Sequence, residues 1–437
     1  MTRGLVLAAP SSGSGKSTVA LALIGALRRR GMRVAAAKAG PDYIDAAFLA
    51  AASGCECRNL DAWAMRRATI AANLKALATA DLVVCEGAMG LFDGIGAGGE
   101  GSTAALARLL GWPVVLVVDA AGMGASVAAL VKGFARHRPD TSLAGVILNR
   151  VGSARHRDLL GAALASELPE VPLLGALPRA RELVLPSRHL GLVQAGEHES
   201  LEAFLAAAAA LAESHLDVDR LARLARQASL RSDARAPSLK PLGQRIAVAR
   251  DRAFAFAYPA MLEAWRAGGA TLSFFSPLAD EAPDGASDAV FLPGGYPELH
   301  AARLAAAAGF RAGLARAAAR GAVIYGECGG YMALGAGLVD AHGARHGMAG
   351  LLPLETSFAE RRLHLGYRAA RLGVAGPLGE KGARFRGHEF HYAAIRDEGV
   401  GTALFEIEDG AGAALPPAGR AIGTVMGSFV HLIDAAD

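Results

Sequence analysis

At 437 residues the chain exceeds one ordinary core, and roughly 100–200 residues per domain implies two or three domains. Its 52% hydrophobic and 20% charged content fits a folded α/β protein and excludes a largely disordered one, while 45 basic against 41 acidic residues leave a formal charge of +4, too slight to argue for nucleic acid. Four cysteines in so long a chain make no disulfide framework, so a reducing cytoplasm is expected, and no apolar run approaches the about 20 residues of a membrane span.

The chain opens with L-V-L-A-A-P-S-S-G-S-G-K-S-T-V. Leu5–Ala9 reads as a buried strand. Pro10–Gly15, with Ser12, Gly13 and Gly15, can expose successive backbone N–H groups, and Lys16-Ser17-Thr18 opens an amphipathic helix over Val19–Arg30. This is the order of a phosphate cradle, in which Lys16 reaches the outer phosphates of ATP and the Ser17 hydroxyl reaches Mg²⁺. The pattern G-x-x-x-x-G-K-[ST] asks for Gly at position 10, and Pro10 stands there. Arg28-Arg29-Arg30 suits the negative end of that helix better than a ligand.

Short apolar strands follow at Val34–Lys38, Leu82–Cys85, Val114–Val118 and Leu143–Leu148, separated by helical stretches near Arg66–Thr79, Thr103–Leu110 and Ser126–Arg136. Alternation at this spacing predicts a parallel sheet covered on both faces, with ligands beyond the carboxyl ends of its strands. The informative residues gather at those ends. Lys38-Ala39-Gly40-Pro41-Asp42-Tyr43-Ile44-Asp45 leaves the second strand as a turn, and Glu86 ends the next apolar strand before G-A-M-G-L-F-D-G. Phosphoryl transfer needs a carboxylate to hold Mg²⁺ beside the cradle; Glu86 fits that need, with Asp42 and Asp45 as further candidates, although each alone also suits a turn cap. Asn149 can offer its amide to a base edge or simply end a strand. Cys55-Glu56-Cys57 lacks a second pair or nearby His and reads as ordinary thiols.

An Ala- and Leu-rich helical stretch from Glu199 to Gln227 fades into R-S-D-A-R-A-P-S-L-K-P-L-G-Q, which marks a boundary. The domains are therefore expected at 1–233 and 245–437, joined by a linker over 234–244. A second α/β pattern begins at Arg245–Ala249 and continues through a helix near Tyr258–Ala267, strands at Leu272–Phe275 and Ala289–Leu292, and the turn P-G-G-Y-P-E. Its centre is A-V-I-Y-G-E-C-G-G-Y-M. Cys328 stands where a nucleophile elbow puts its reactive atom, Gly326 and Gly330 relieve the crowding of such a turn, and the following helix N-terminus favours a thiolate. Backbone N–H groups of Gly295 and Gly329 are the candidate oxyanion donors. His388, His391 and His431 all qualify as the base by spacing.

The stretches A-P-S-S-G-S-G-K-S-T, K-A-G-P-D-Y-I-D, E-G-A-M-G-L-F-D-G, A-R-D-R-A-F-A-F-A-Y-P, L-P-G-G-Y-P-E, G-E-C-G-G-Y-M, G-H-E-F-H-Y and G-S-F-V-H-L together resemble the cobyrinic or hydrogenobyrinic acid a,c-diamide synthases of corrin biosynthesis, along essentially the whole chain. The resemblance implies an N-terminal domain similar to dethiobiotin synthetase and a C-terminal class I glutamine amidotransferase domain, and it accommodates Pro10. By motif position Cys328 becomes the nucleophile toward L-glutamine and His431 its base. Lys16, Ser17, Thr18 and Lys38 face ATP, Glu86 with Asp42 holds Mg²⁺, and Asp45 lies near the carboxylate of a corrin polycarboxylate.

Many class I amidotransferases carry Glu two residues after the catalytic His. Here that position is Ile433, so what orients His431 is open, with Asp434 as one candidate. Cobyric acid synthase shares the domain order but is disfavoured by K-A-G-P-D-Y-I-D. A similar enzyme acting on another tetrapyrrole, such as a nickel-bearing one, is a further alternative, and a partitioning-type ATPase switch is disfavoured by the cysteine elbow. A symmetric homodimer is expected only on the prevalence of such assemblies.

Overall fold

The computed structural model describes residues 2–180, 183, 187–188, 191–231 and 239–436. The chain divides into two compact units, Met1–Ala236 and Pro237–Asp437. Residues 234–238 of the expected linker lie outside the described residues. Among the described residues no helix is long and apolar enough to cross a membrane.

In the first unit, β1 (Arg3–Ala8), β2 (Val34–Ala39), β3 (Arg58–Leu60), β4 (Leu82–Glu86), β5 (Val114–Asp119), β6 (Leu143–Val151) and β7 (Leu173–Pro178) form a parallel sheet in the order β3-β2-β4-β1-β5-β6-β7. A short antiparallel strand, β8 (Arg226–Gln227), pairs with β1. V-V-L-V-V and L-V-V-C are buried throughout, as expected of strands covered on both faces. The connecting helices are α1 (Lys16–Arg29), α2 (Ile44–Ser53), α3 (Arg67–Ala76), α4 (Thr103–Leu110), α5 (Ser126–His137) and α6 (Ala154–Glu167), followed by α7 (Leu201–His215) and α8 (Val218–Leu224).

The strand order reverses at β1, whose neighbours are β4 and β5. The loops after β1, β2 and β4 therefore share one rim of the sheet. Register does the fine placement: Glu86 pairs with Leu7 of β1 on one side and Lys38 of β2 on the other. The segment expected as a turn after β2 is shorter than the sequence suggested, because α2 opens at Ile44 and takes Asp45 into its first turn. A carboxylate there is favoured by the positive end of the helix.

The second unit holds β9 (Arg245–Ala249), β10 (Thr271–Phe275), β11 (Ala289–Leu292), β12 (Val323–Glu327), β13 (His364–Leu372), β14 (Arg384–His391), β15 (Thr402–Asp409), β16 (Ala414–Ile422), β17 (Val425–Ser428) and β18 (His431–Ala435) in one sheet, ordered β10-β9-β11-β12-β17-β16-β15-β13-β14-β18. Strands β10 to β17 in that order are parallel, and the remainder is antiparallel. Helices α9 (Pro259–Ala267), α10 (Ala301–Ala306), α11 (Ala308–Ala319) and α12 (Gly329–Leu334) accompany the parallel half. Its core includes Val290, Leu292, Phe310, Leu314, Ile324 and Met332. The antiparallel half brings β18, and with it His431, alongside β14, whose His388 pairs directly with it.

Candidate active site

The rim of the first unit gathers most of the residues expected to handle phosphate. Gly15 caps α1 at φ 81°, and a side chain there would overlap the Asn149 amide. Asn149 Nδ2 donates to Ser14 O at 3.0 Å, so the residue considered for a base edge also braces the loop. Ser14 Oγ donates to Ser11 O at 2.9 Å, while Ser11, Ser12 and Gly13 form the exposed tip and Thr18 is half-buried on α1. The glycine-rich segment after Glu86 is tied to this loop by Leu91 N donating to Ala9 O at 2.8 Å, and is braced internally by Gly90 N donating to Asp93 Oδ2 at 2.8 Å.

Glu86 is fully buried at the centre of the rim. Its Oε1 accepts from Ser17 Oγ at 2.6 Å and lies 3.3 Å from Lys38 Nζ and 3.7 Å from Lys16 Nζ. Its Oε2 is buried with no hydrogen-bond partner. Lys38 Nζ also donates to Asp45 Oδ2 at 2.6 Å and to Gly87 O at 3.3 Å. Asp42 is one contact further out: its Oδ1 accepts from Asp45 N at 2.7 Å. Burial opposes the charge on Lys38, but Asp45, Glu86 and Asp42 outweigh it and hold the ammonium above its ordinary range. Burial, reinforced by the Asp45 charge, pushes the Asp42 carboxyl up to about 7. Asp45 goes the other way, because Lys38 overcomes its burial. Among the described residues no group of three or more His, Cys, Asp or Glu could hold a metal ion by itself.

In the second unit, Cys328 sits between β12 and α12 with φ 46° and ψ −102°, a left-handed conformation that is costly for a residue with a side chain. The turn is fixed by Cys328 N donating to Ser428 O at 2.8 Å and Met332 N donating to Cys328 O at 3.0 Å. A Cβ on Gly326 would lie 2.7 Å from Gly330 C, the crowding that the two glycines were expected to relieve. The thiol departs from expectation in one respect. Burial drives it well above its ordinary range, reinforced by Glu298, so the short helix behind it does not hold a resting thiolate.

His431 is 1% exposed and faces the elbow. A Cβ on Gly294 would overlap His431 Cε1 and lie 3.2 Å from Nε2 and 3.4 Å from Cys328 Cβ, so imidazole and cysteine flank one point above the P-G-G turn. Gly295 N lies 2.9 Å from where a Gly329 Cβ would stand, which brings together the two expected oxyanion donors. His388 stacks on His431 with ring centroids 4.9 Å apart, and His391 stacks on Phe429 at 3.9 Å. Burial, aided by His431, keeps His388 neutral, and burial with His364 beside it takes His391 down to about 3.

Each unit also matches a known family. Residues 5–193 match the CobQ/CobB/MinD/ParA nucleotide binding domain, and residues 245–437 match the CobB/CobQ-like glutamine amidotransferase domain. The hydrogenobyrinate a,c-diamide synthase of Brucella anthropi is 55% identical over 435 residues, covering 99% of this chain and 98% of its own. The chain belongs to the hydrogenobyrinate a,c-diamide synthase family. Relatives of the same name from Rhizobium meliloti and Rhodobacter capsulatus are 56% and 54% identical, each over 99% of this chain and over 100% and 98% of their own. As a member of this family the chain is a glutamine-dependent amide-forming ligase that uses ATP.

One neighbour of the candidate amidotransferase site was not singled out from sequence. Glu327, immediately before Cys328, places Oε2 3.7 Å from His431 Nδ1. Asp434, the residue considered for orienting His431, is also buried and accepts from its neighbour Ala435 N at 2.9 Å. The available signal was a charged residue ending the apolar V-I-Y-G-E strand, two places after Tyr325 and so on the same face. The closeness of Gly294 to the ring yields a prediction: Gly294→Ala should lower kcat/KM for glutamine hydrolysis about 100-fold by displacing His431. Wild-type hydrolysis by this variant would show that the ring position does not matter.

Proposed function

We propose that the chain amidates the a and c acetate carboxylates of hydrogenobyrinic acid, using ATP and L-glutamine, to give the a,c-diamide. The observation that carries this reading is end-to-end similarity to relatives of that name, 55% identical over 99% of this chain and 98% of theirs. Two features support it: a phosphate loop flanked by Lys16, Lys38 and Glu86, and a cysteine elbow facing His431. A switch ATPase has no use for a strained cysteine beside an imidazole.

A free carboxylate is a poor acyl donor because oxide would have to leave. One carboxylate oxygen of the corrin attacks the γ-phosphorus of ATP, ADP departs, and an acyl phosphate forms. Lys16 and Lys38 balance charge on the transferring phosphoryl group, and the backbone of Ser12–Gly15 cradles the phosphates. Asp45, in the first turn of α2, holds Lys38 in place and is assigned to the neighbourhood of the corrin carboxylate.

The residues fit Mg²⁺: the Ser17 hydroxyl stands beside Glu86, Glu86 Oε2 is buried and unpartnered, and Asp42 adds a second carboxylate nearby. Few protein ligands are needed, because this ion characteristically keeps waters and phosphate oxygens. When bound, it supplies charge neutralisation at the phosphates.

In the other unit, Cys328 Sγ attacks the carboxamide carbon of glutamine as its proton passes to His431 Nε2. Gly295 and Gly329 N–H groups receive the oxyanion. The imidazolium returns the proton to the departing nitrogen, ammonia leaves, and water hydrolyses the glutamyl thioester to glutamate. Ammonia then displaces phosphate from the acyl phosphate. Two such cycles give the diamide.

Cys328→Ala should abolish glutamine-dependent amidation and retain amidation from ammonium salts, whereas Lys16→Ala should lose both. Full glutamine use by the cysteine variant would sink the assignment. Mass spectrometry of products from ATP, glutamine and Mg²⁺ with either hydrogenobyrinic acid or its cobalt-bearing counterpart, cobyrinic acid, tests the acceptor. Two amide gains on the cobalt-free acid are expected; amidation of the cobalt-bearing acid alone would refute it.

A further inference from the structure

Ile433 occupies the place where many class I amidotransferases carry the carboxylate that orients histidine, yet a base on a buried imidazole still needs its tautomer fixed. We infer that Glu327, the residue directly before the nucleophile, is the positioning residue for His431. This rests on the reading of Cys328 and His431 as nucleophile and base.

The carboxylate is divided between two tasks. Oε1 accepts from Tyr325 Oη at 3.0 Å and from Leu432 N at 3.1 Å, which clamps it between β12 and the start of β18. Oε2 is left facing His431 Nδ1 at 3.7 Å, with both side chains only 2% exposed. A carboxylate accepting at Nδ1 stabilises the tautomer with Nδ1–H, which frees Nε2 to act as base on the Gly294 side, where Cys328 also lies. The resting separation is longer than a hydrogen bond, as catalytic contacts often are before substrate is bound. Glu327 and the nucleophile are also registered by one strand, because Glu327 pairs with Ser428 and Cys328 N donates to Ser428 O.

The surroundings favour this assignment. Tyr325 stays a neutral donor, since burial and the Glu327 charge both raise its phenol. His388, stacked on His431, is held neutral and supplies no counter-charge. Asp434, three residues beyond His431, is a buried carboxylate on β18 itself and is the comparator in the test. Burying a carboxylate is costly unless it is matched, and an apolar residue would serve packing alone. In the reaction the Cys328 S–H bond breaks as Sγ bonds to the amide carbon, and the proton goes to Nε2. Nδ1–H stays on the ring against Glu327, and the Nε2 proton later leaves with ammonia.

The test measures glutamine hydrolysis by the full chain for Glu327→Gln, Asp434→Asn and Cys328→Ala. Glu327→Gln should lower kcat about 100- to 10,000-fold with KM within about threefold. It should also move the acid limb of the kcat/KM profile down by about 1 pH unit, because removing the anion makes the imidazole a weaker base. Nitrogen NMR of labelled histidine reads the same titration where turnover is too slow. A loss under tenfold, an unmoved His431 titration, or a larger loss in Asp434→Asn would overturn the inference. If circular dichroism shows Glu327→Gln unfolded, Tyr325→Phe replaces it: an about tenfold loss of kcat at unchanged KM is expected, and no loss overturns it. Cys328→Ala separates the two levels, since its retaining hydrolysis would refute the nucleophile itself, whereas its inactivity beside a near-normal Glu327→Gln would refute only the positioning role.

Discussion

A carboxylate buried at the end of a parallel strand is expensive unless its oxygens are matched, and the rim of the first unit is arranged around that constraint. Glu86 is fully enclosed, with Ser17, Lys16 and Lys38 converging on one oxygen. The match is delivered by the sheet, because Lys38 and Glu86 are register partners on adjacent strands. Lys16 and Ser17 arrive from the first turn of α1, which follows β1, the strand on the other flank of β4. The cluster therefore fixes the phosphate loop relative to two strands at once. It also leaves Glu86 Oε2 without a protein partner, which is a destabilising feature in a pure scaffold and a sensible one where a cation must enter.

The second unit sets a different electrostatic problem. In the proposed amide hydrolysis through sulfur the nucleophile must be activated at the moment of attack, since burial pushes the Cys328 thiol above its ordinary range. Activation then falls to an adjacent base, in contrast to cysteines that are thiolates before substrate arrives. Neutral imidazoles suit that arrangement. His388 and His391 are both prevented from charging by their burial, so neither adds a cation beside His431, the ring proposed to accept the proton.

Much of this was legible along the chain. Lys38, Glu86 and Cys328 each end a short apolar run, and the rule that α/β ligands gather beyond strand ends placed them correctly on sheet rims. Helix α2 was hidden because Ala39-Gly40-Pro41-Asp42 signals a turn and I-D-A-A-F-L-A-A-A-S is apolar on nearly every face, with no polar stripe to set its period. The antiparallel strands were hidden for the opposite reason: H-L-G-Y-R-A-A-R-L and A-L-P-P-A-G-R-A-I interrupt their alternation with Arg, Gly and Pro. Glu327 escaped notice because the partner that gives it meaning lies far off; the Leu432 N–H that clamps it is 105 positions away. Spacing rules search within an element, and this contact exists only once Leu432, at the start of β18, meets the Glu327 side chain at the end of β12.

The two chemistries explain why one chain needs two such different environments. The proposed phosphoryl transfer to a carboxylate would bring together several negative groups and so call for permanent cations that never release their protons; Lys38, whose ammonium is held by neighbouring carboxylates, suits that need. Thioester formation moves one proton out and back, so it calls for groups that can change charge, and a fixed ammonium beside Cys328 would hold the thiolate and blunt its nucleophilicity. A single pocket cannot be both. Separate folded units, each with its own buried carboxylate at a strand end, allow one to be tuned for constant charge and the other for a charge that appears only during turnover.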